Sequence, residues 1–178
     1  DVTLDLSNKT TQEITVTGSN YGNVTFETND NTVAKVDENG VITAVGNGTT
    51  TITVIGSNGE VTDTITVTVV TTPTSVEISQ DSPVIGVNKD NTIDLDATVG
   101  PATSNEGNEV TWSSTNEDIA TVDPNTGVVT GKSDGTVTIT VTTENGQTDT
   151  IEVTVDGTAP QVLVSIDNTN YEKTHTAT

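Results

Sequence analysis

The sequence contains no cysteine and no methionine, has a single histidine, and only 2% of its 178 residues are aromatic. Without cysteine there is no disulfide framework and no thiol chemistry. With no cysteine and one histidine, the sequence offers neither the ligand set of a conventional zinc site nor a recognisable motif for a Ser-His-Asp triad. Nothing resembles GxGxxG, a phosphate-binding loop or HExxH. We therefore expect a chain that is not an enzyme, with no catalytic and no cofactor-binding residues.

Positive charge and long apolar runs are also scarce. Five lysines stand against 26 acidic residues, which gives a formal net charge of −21. Phosphate groups would be repelled by such a chain, so a nucleic-acid partner is excluded. No apolar run reaches 18 residues, so the sequence predicts no membrane insertion. The same acidity makes divalent cations plausible companions.

What the sequence has in abundance is valine and isoleucine alternating with threonine. A composition this polar could belong to a disordered chain. Strict alternation of branched apolar and polar residues is instead typical of half-buried β-strands. The pattern predicts an all-β protein.

One long motif is written twice. The stretch VTFETNDNTVAKVDENGVITAV covers residues 24–45, and VTWSSTNEDIATVDPNTGVVTG covers residues 110–131. Both copies end alike, in SNGEVTDTITVTV and ENGQTDTIEVTV. A period of about 86 residues is too long for a solenoid repeat and fits a whole small domain.

Each copy contains short strand-like runs separated by turn signals. In the second copy the predicted strands are 76–78, 84–87, 92–99, 109–113, 119–122, 128–130, 135–143 and 148–155. Asn-Gly pairs at positions 58–59 and 145–146 separate alternating runs, which is a strong hairpin signal. Some seven strands in about 80 residues indicate an antiparallel β-sandwich. Trp112 and Phe26 are predicted to fill the space between the two sheets.

These residues resemble the bacterial immunoglobulin-like domain, group 2. The second copy has the motifs Trp-Ser-Ser at 112–114, Ala-Thr-Val-Asp at 120–123 and Gly-Val-Val-Thr-Gly at 127–131. The first copy departs from them at Phe26-Glu27-Thr28 and at Ala44. The resemblance implies tandem immunoglobulin-like sandwiches of the kind found in bacterial or phage surface proteins. It implies no shared catalytic residues.

The repeat divides the chain into a domain at 1–71, a domain at 72–156 and a further segment at 157–178. The second domain begins with two strand-like runs, but the first has room only for residues 2–6 before the run EITVT at 13–17. We therefore predict that the first domain lacks a first strand, and that residues 161–166 form an extra strand segment with no domain after it. Two interpretations remain open. The chain is either a piece of a longer array, or a subunit whose strand at 161–166 completes the first domain of a neighbouring copy.

Calcium is the one metal that the sequence favours, because hard cations bind the oxygen ligands that acidic turns supply. The candidate ligands are Asp30, Asp37, Glu117, Asp118, Asp123 and Asp156. Asp and Asn are also favoured in turns for conformational reasons alone. Both readings of these carboxylates stay open at this point.

Two classes of function follow. The first is a non-catalytic spacer, structural or adhesion module of a bacterial cell-surface or secreted protein. The second is a self-assembling subunit of an extracellular filament, S-layer or phage virion. The expected partners are copies of the same chain or adjacent domains of a longer one, and also a host-surface protein or cell-wall glycan. The expected location is extracellular.

Overall fold

A computed structural model describes residues 1–18, 22–57, 62–85 and 91–158 of the chain. All of the regular structure in them is β-strand. The first domain contains β1 (Val2–Asp5), β2 (Thr11–Glu13), β3 (Val24–Thr28), β4 (Ala34–Val36), β5 (Val41–Ala44), β6 (Gly48–Gly56) and β7 (Thr62–Val70). The second contains β8 (Ser75–Ile78), β9 (Val84–Ile85), β10 (Thr92–Asp94), β11 (Ala97–Gly100), β12 (Val110–Ser114), β13 (Ala120–Val122), β14 (Val128–Gly131), β15 (Gly135–Thr143) and β16 (Thr148–Val155). The described part of the chain contains no helix long and apolar enough to cross a membrane.

The two domains share one topology. In the first, one sheet has the order β1-β7-β6-β3 and faces a second sheet, β2-β5-β4. In the second, β9-β16-β15-β12 faces β10-β14-β13, and a further pair is formed by β8 and β11. Because β10 and β11 follow one another with only two residues between them, β8 extends the second sheet at its edge. The predicted tandem sandwiches are confirmed.

Alternation along the long strands builds both cores. In β15 every second residue from Val137 to Val141 is buried, while the intervening threonines are partly exposed. The same pattern holds for β6, where Ile52 and Val54 face inward. The first core contains Leu4, Val33, Ala34, Ile42, Ala44, Ile52, Val67 and Val69. The second contains Val76, Ile85, Leu95, Trp112, Ala120, Val129, Val137, Ile139, Val141, Ile151, Val153 and Val155.

Each aromatic residue lies against a glycine that has a positive φ angle. Trp112 is 4% exposed, and a β-carbon built on Gly127 (φ +75°) would lie 2.9 Å from its Cε2 atom. In the first domain Phe26 lies in the same way against Gly40 (φ +80°), but its side chain is only half-buried. The turn glycines therefore serve both the backbone conformation and the close approach of the ring.

The predicted turn at Asn145-Gly146 is also present. It joins β15 to β16, and Gly146 adopts φ +90°. The amide of Gly146 donates to the carbonyl oxygen of Thr143 at 2.9 Å. The corresponding prediction at Asn58-Gly59 lies outside the described residues.

Three predictions of strand detail were wrong. The strand expected at 92–99 is interrupted at Leu95, whose side chain is buried while its amide donates to the carbonyl oxygen of Gly127 at 3.2 Å. The run at 13–17 does not form a strand beyond Glu13. The sandwiches are not wholly antiparallel, because β1 pairs parallel to β7 and β9 pairs parallel to β16. Alternation specifies that a residue faces a core, but it carries no information on the direction of the neighbouring strand.

Candidate functional site

The acidic turns use their carboxylates to hold backbone amides. Asp30 Oδ1 accepts hydrogen bonds from the amide of Thr32 at 2.8 Å and from its hydroxyl at 2.6 Å. Asp37 Oδ1 accepts from the amides of Asn39 and Val41. Asp123 Oδ1 accepts from the amides of Asn125 and Thr126, both at 2.9 Å. These are the side-chain-to-backbone bonds that favour aspartate in turns.

The remaining predicted calcium ligands lie in separate places. The amide of Asp118 donates to Asn116 Oδ1 at 3.0 Å, and Glu117 lies beside it in the same exposed turn. Asp156 Oδ1 accepts from the amide and hydroxyl of Thr158. Within the described ranges, no three acidic or histidine side chains come together as a possible metal site. Calcium binding at these turns stays a prediction.

Hydrogen bonding also favours the ionised form of two of these carboxylates. Bonds from the hydroxyl and the amide of Thr32 hold the pKa of Asp30 below its ordinary value. Bonds from the amides of Asn125 and Thr126 lower the pKa of Asp123 in the same way. In both cases the turn itself stabilises the ionised carboxylate.

The more elaborate site is the junction between the domains, and it is centred on Thr71. The Thr71 hydroxyl donates to Asn47 Oδ1 at 2.7 Å, and Asn47 Nδ2 donates to the carbonyl oxygen of Thr103 at 2.8 Å. The Thr71 amide donates to Asn105 Oδ1 at 2.8 Å, and the Asn105 amide donates back to the Thr71 carbonyl oxygen at 3.0 Å. Asn47 therefore connects the first domain directly to the second.

The next residues of the junction are fixed from both sides. The Thr72 hydroxyl donates to Asp5 Oδ2 at 2.6 Å, and the Ser7 hydroxyl donates to the Thr72 carbonyl oxygen at 2.7 Å. On the other side, Asn145 Nδ2 of the β15–β16 turn donates to the carbonyl oxygen of Pro73 at 2.7 Å. Pro73 is fully buried. A segment whose polar groups are bonded in this way has little freedom to act as a flexible linker.

Sequence reasoning missed this junction. The stretch TTPTS at 71–75 has the polar, proline-containing composition of a linker, and nothing in it points to contacts with Asn47 or Asn105. Asparagine, serine and threonine are so frequent in this chain that no local pattern marks the few that contact the other domain. The burial of Pro73 is a property of the structure, so it offered no signal in the sequence.

Asp5 gives the junction a measurable pH dependence. Burial opposes ionisation of Asp5, but hydrogen bonds from Thr72 and Ser7 outweigh it and lower its pKa. A lowered pKa in the folded state stabilises the fold above the unfolded value of about 3.9, and this stability is lost as the pH falls through the folded pKa. At pH 7 we expect Asp5→Asn to reduce the free energy of unfolding by about 1–3 kcal/mol.

Urea unfolding of the full chain between pH 7 and pH 2 measures this effect. The difference between the wild type and Asp5→Asn should shrink towards zero at the acid end. Glu27→Gln, an exposed position on β3, controls for the loss of one negative charge. A difference that stays constant over the whole pH range would contradict the assignment to the Asp5 carboxylate.

A second feature of the first domain is a groove beside residues 14–17. It has a volume of about 200 Å³ and is lined mainly by Ile14, Val16, Val24, Val54, Asp63 and Ile65. Residues 14–17 line one side of this groove and do not form a β-strand. The groove therefore lies at an open edge of the second sheet.

The sandwich topology, the repeated strand pattern and the turn glycines define a class of immunoglobulin-like modules. The family model for the bacterial Ig-like domain (group 2) matches residues 2–69 and 73–155. The chain belongs to this family, with one copy of the domain in each half.

Several known proteins are similar to the chain. An "Ig-like virion protein" of Serratia phage KSP90 is 38% identical over 151 residues, which cover 82% of this chain and 57% of that protein. The chain thus spans less than two thirds of that relative. Among solved structures, the S-layer protein rSbsC(31-844) is 25% identical, with 79% of this chain and 21% of that chain covered and a TM-score of 0.44. A C-terminal 282-residue fragment of intimin, in complex with the intimin-binding domain of Tir, is 27% identical, with 75% and 51% covered and a TM-score of 0.39.

Proposed function

We propose that this chain is a non-catalytic, rigid two-domain spacer of an extracellular surface, either a bacterial cell surface or a virion. The observation that carries the proposal is the set of side-chain hydrogen bonds around Thr71. Domains joined by a polar linker move relative to one another by default. A spacer that must hold another module at a fixed distance gains from suppressing this motion.

Family membership supports the same proposal, because the resemblance brings no catalytic residues with it. The described carboxylates cap turns instead of converging on a common site. The first domain and the second are built alike, so the chain extends a surface by repetition of one module.

Distances between spin labels test the rigidity. The chain has no cysteine, so Thr25→Cys and Thr111→Cys place one label on an exposed strand position of each domain without interference. We expect one narrow distance distribution for this pair. Combining it with Asn47→Ala and Asn105→Ala should broaden the distribution, because each substitution removes side-chain bonds worth about 1 kcal/mol apiece.

Asn39→Ala is the matched control for the junction variants. Asn39 lies in an exposed turn of the first domain, where its backbone amide bonds to Asp37. This control should leave the distribution narrow. A broad distribution in the wild type, or an unchanged one in the double asparagine variant, would overturn the rigid-spacer proposal.

A second candidate function is a self-assembling subunit of an extracellular filament, S-layer or virion, in which residues 161–166 complete the first domain of a neighbouring copy. Its support is the 38% identity to a virion protein together with the open sheet edge at residues 14–17. Analytical ultracentrifugation of the wild type and of a chain lacking residues 159–178 tests it. Association that depends on the deleted residues is the expected result, and a wild type that is monomeric at every concentration would contradict this candidate.

A further inference from the structure

In the second domain, the strand β8 occupies the position that corresponds to the groove. There β8 pairs antiparallel with β11, and Val76 of β8 is buried in the core opposite Val99. The amide of Ile78 donates to Asp149 Oδ2 at 2.8 Å. The strand is thus held by a ladder on one side, an apolar contact below and one carboxylate at its end.

Residues 14–17 of the first domain correspond to residues 95–98 of the second, of which Ala97 and Thr98 belong to the strand that pairs with β8. The Ile14 amide donates to the carbonyl oxygen of Gly40, as the Leu95 amide does to that of Gly127. Counting on from this shared bond, Val16 corresponds to Ala97 and Thr17 to Thr98. In the second domain these two positions pair with Ile78 and Glu77. In the first domain no strand within the described ranges pairs with them.

Below this unpaired edge, two apolar side chains are more exposed than their counterparts in the second domain. Ile65 is partly exposed, although its counterpart Ile151 is 7% exposed. Ile14 is likewise partly exposed, while its counterpart Leu95 is 2% exposed. Asp63 corresponds to Asp149, caps the amide of Thr64 in the same way at 2.8 Å and also lines the groove.

We propose that the groove binds an extended β-strand, namely residues 161–166 of a second copy of the chain, and that Asp63 accepts a backbone N–H from it. The inference rests on the second candidate function above and names its binding site. An open edge with an apolar floor is the arrangement that accepts an added strand, with main-chain bonds giving affinity and side-chain pockets giving specificity.

The occupant is identified by its sequence. Residues 161–166 read QVLVSI and carry no charge, so they bring no repulsion into a chain of net charge −21. Val162, Val164 and Ile166 fall on one face of a strand by alternation. A proline precedes both segments, Pro160 two residues before Val162 and Pro73 three residues before Val76, so alternation and not the proline sets the register. In the sequence, the segment begins three residues after Thr158.

The pairing of β8 with β11 in the second domain also specifies the register expected for residues 161–166. If Val162 and Val164 take the inward positions of Val76 and Ile78, Val164 lies opposite Val16. Leu163 then lies opposite Thr17 on the outer face. The Thr17 side chain is exposed, so this outer pair is accessible to chemical cross-linking while the inward pairs are not.

Disulfide cross-linking in a thiol–disulfide buffer tests the proposal, since the native chain has no cysteine. Full-length chains carrying Thr17→Cys are mixed with full-length chains carrying Leu163→Cys. We expect a mixed dimer, seen on non-reducing gels. The out-of-register control replaces Leu163→Cys with Ser165→Cys, which moves the thiol about 6.7 Å along the strand. Together with the distance between strands, this exceeds the Cα separation of about 7 Å that a disulfide allows.

Two further variants separate the inner from the outer face of the donated strand. Val164→Asp in the Leu163→Cys chain should reduce the mixed dimer by about tenfold or more, because a charge would enter the apolar floor. Ser165→Asp, on the outer face, should leave the yield unchanged.

Asp63→Asn in the Thr17→Cys chain should also reduce the yield of mixed dimer by about tenfold. Glu38→Gln, at an exposed turn position of the same domain, should leave that yield unchanged.

Equal yields for the Leu163 and Ser165 pairs, or no mixed dimer above background, would overturn the proposal. In a separate chain that carries both Thr17→Cys and Leu163→Cys, a disulfide that forms only within the chain would overturn the assignment to a second copy. In-register cross-linking supports the groove even if the wild type sediments as a monomer, in which case only the self-assembly function fails. The spin-label experiment on the junction is independent of all these results.

Discussion

Replacing Trp112 by alanine is expected to destabilise the second domain by about 3–5 kcal/mol. The ring is 4% exposed and lies within the core cluster of that domain, against Gly127. Its removal loses apolar burial and leaves a cavity that the surrounding β-strands can close only in part. Since whole domains of this size are stable by about 5–15 kcal/mol, the change removes a large part of the stability.

Hydrogen exchange measured by mass spectrometry resolves this effect by domain. Peptides from residues 110–155 should lose protection in Trp112→Ala, while peptides from residues 24–56 keep theirs. Phe26→Ala is the matched change in the first domain, and it should cost less because Phe26 is only half-buried. Equal losses of stability for Trp112→Ala and Phe26→Ala would contradict the expectation that the more deeply buried ring contributes more.

Gly127→Ala is the second change with a large expected effect. An added β-carbon would lie 2.6 Å from the carbonyl oxygen of Leu95 and 2.9 Å from Trp112 Cε2. The carbonyl belongs to the backbone and cannot rotate away, so either the backbone at Leu95 or the ring of Trp112 must shift. Overpacking of this kind costs about 1–3 kcal/mol, in addition to about 1–2 kcal/mol for an alanine at positive φ.

Gly146→Ala separates the two costs. Gly146 also has a positive φ angle, of +90°, but nothing lies within 4 Å of a β-carbon built there. It should therefore lose only the conformational part, and urea unfolding should rank Gly127→Ala as the more destabilising variant. If both variants were equally stable, the close approach of Trp112 and Leu95 would have no energetic consequence.

Much of the fold could be predicted because its signals are local. Alternation predicted β15 and β16 with the bounds that the structure has. The Asn-Gly pair at 145–146 predicted the turn between them because few other residues tolerate its backbone angles. The repeated motif predicted that both halves would share one topology, and this is confirmed in every sheet but one edge.

This edge, at residues 13–17, shows why the remaining strand pairing could not be predicted from the sequence. The run EITVT at 13–17 has the pattern of a strand, but a strand exists only where another backbone accepts its hydrogen bonds. In the second domain, Ala97 and Thr98, which correspond to Val16 and Thr17, lie in a strand because β8 pairs with them. Propensity reports what a segment can form, and the presence of a partner decides whether it does.

The junction was hidden for a different reason. Asn47, Thr71 and Asn105 are far apart in sequence, and each is of a residue type that this chain uses throughout its loops. Their bonds depend on how two complete domains meet. The acidic turns, in contrast, depend on neighbouring residues only, because their carboxylates bond to amides within four residues. Local sequence was therefore enough to interpret them as turns.

The most direct test of the rigid-spacer account is ¹⁵N relaxation of the wild-type chain in solution. If the bonds of Asn47, Thr71 and Asn105 hold the domains together, amides of β6 and amides of β15 will report one rotational correlation time, that of the whole chain. Two shorter correlation times, one for each domain, would contradict the account and return residues 71–75 to the role of a flexible linker.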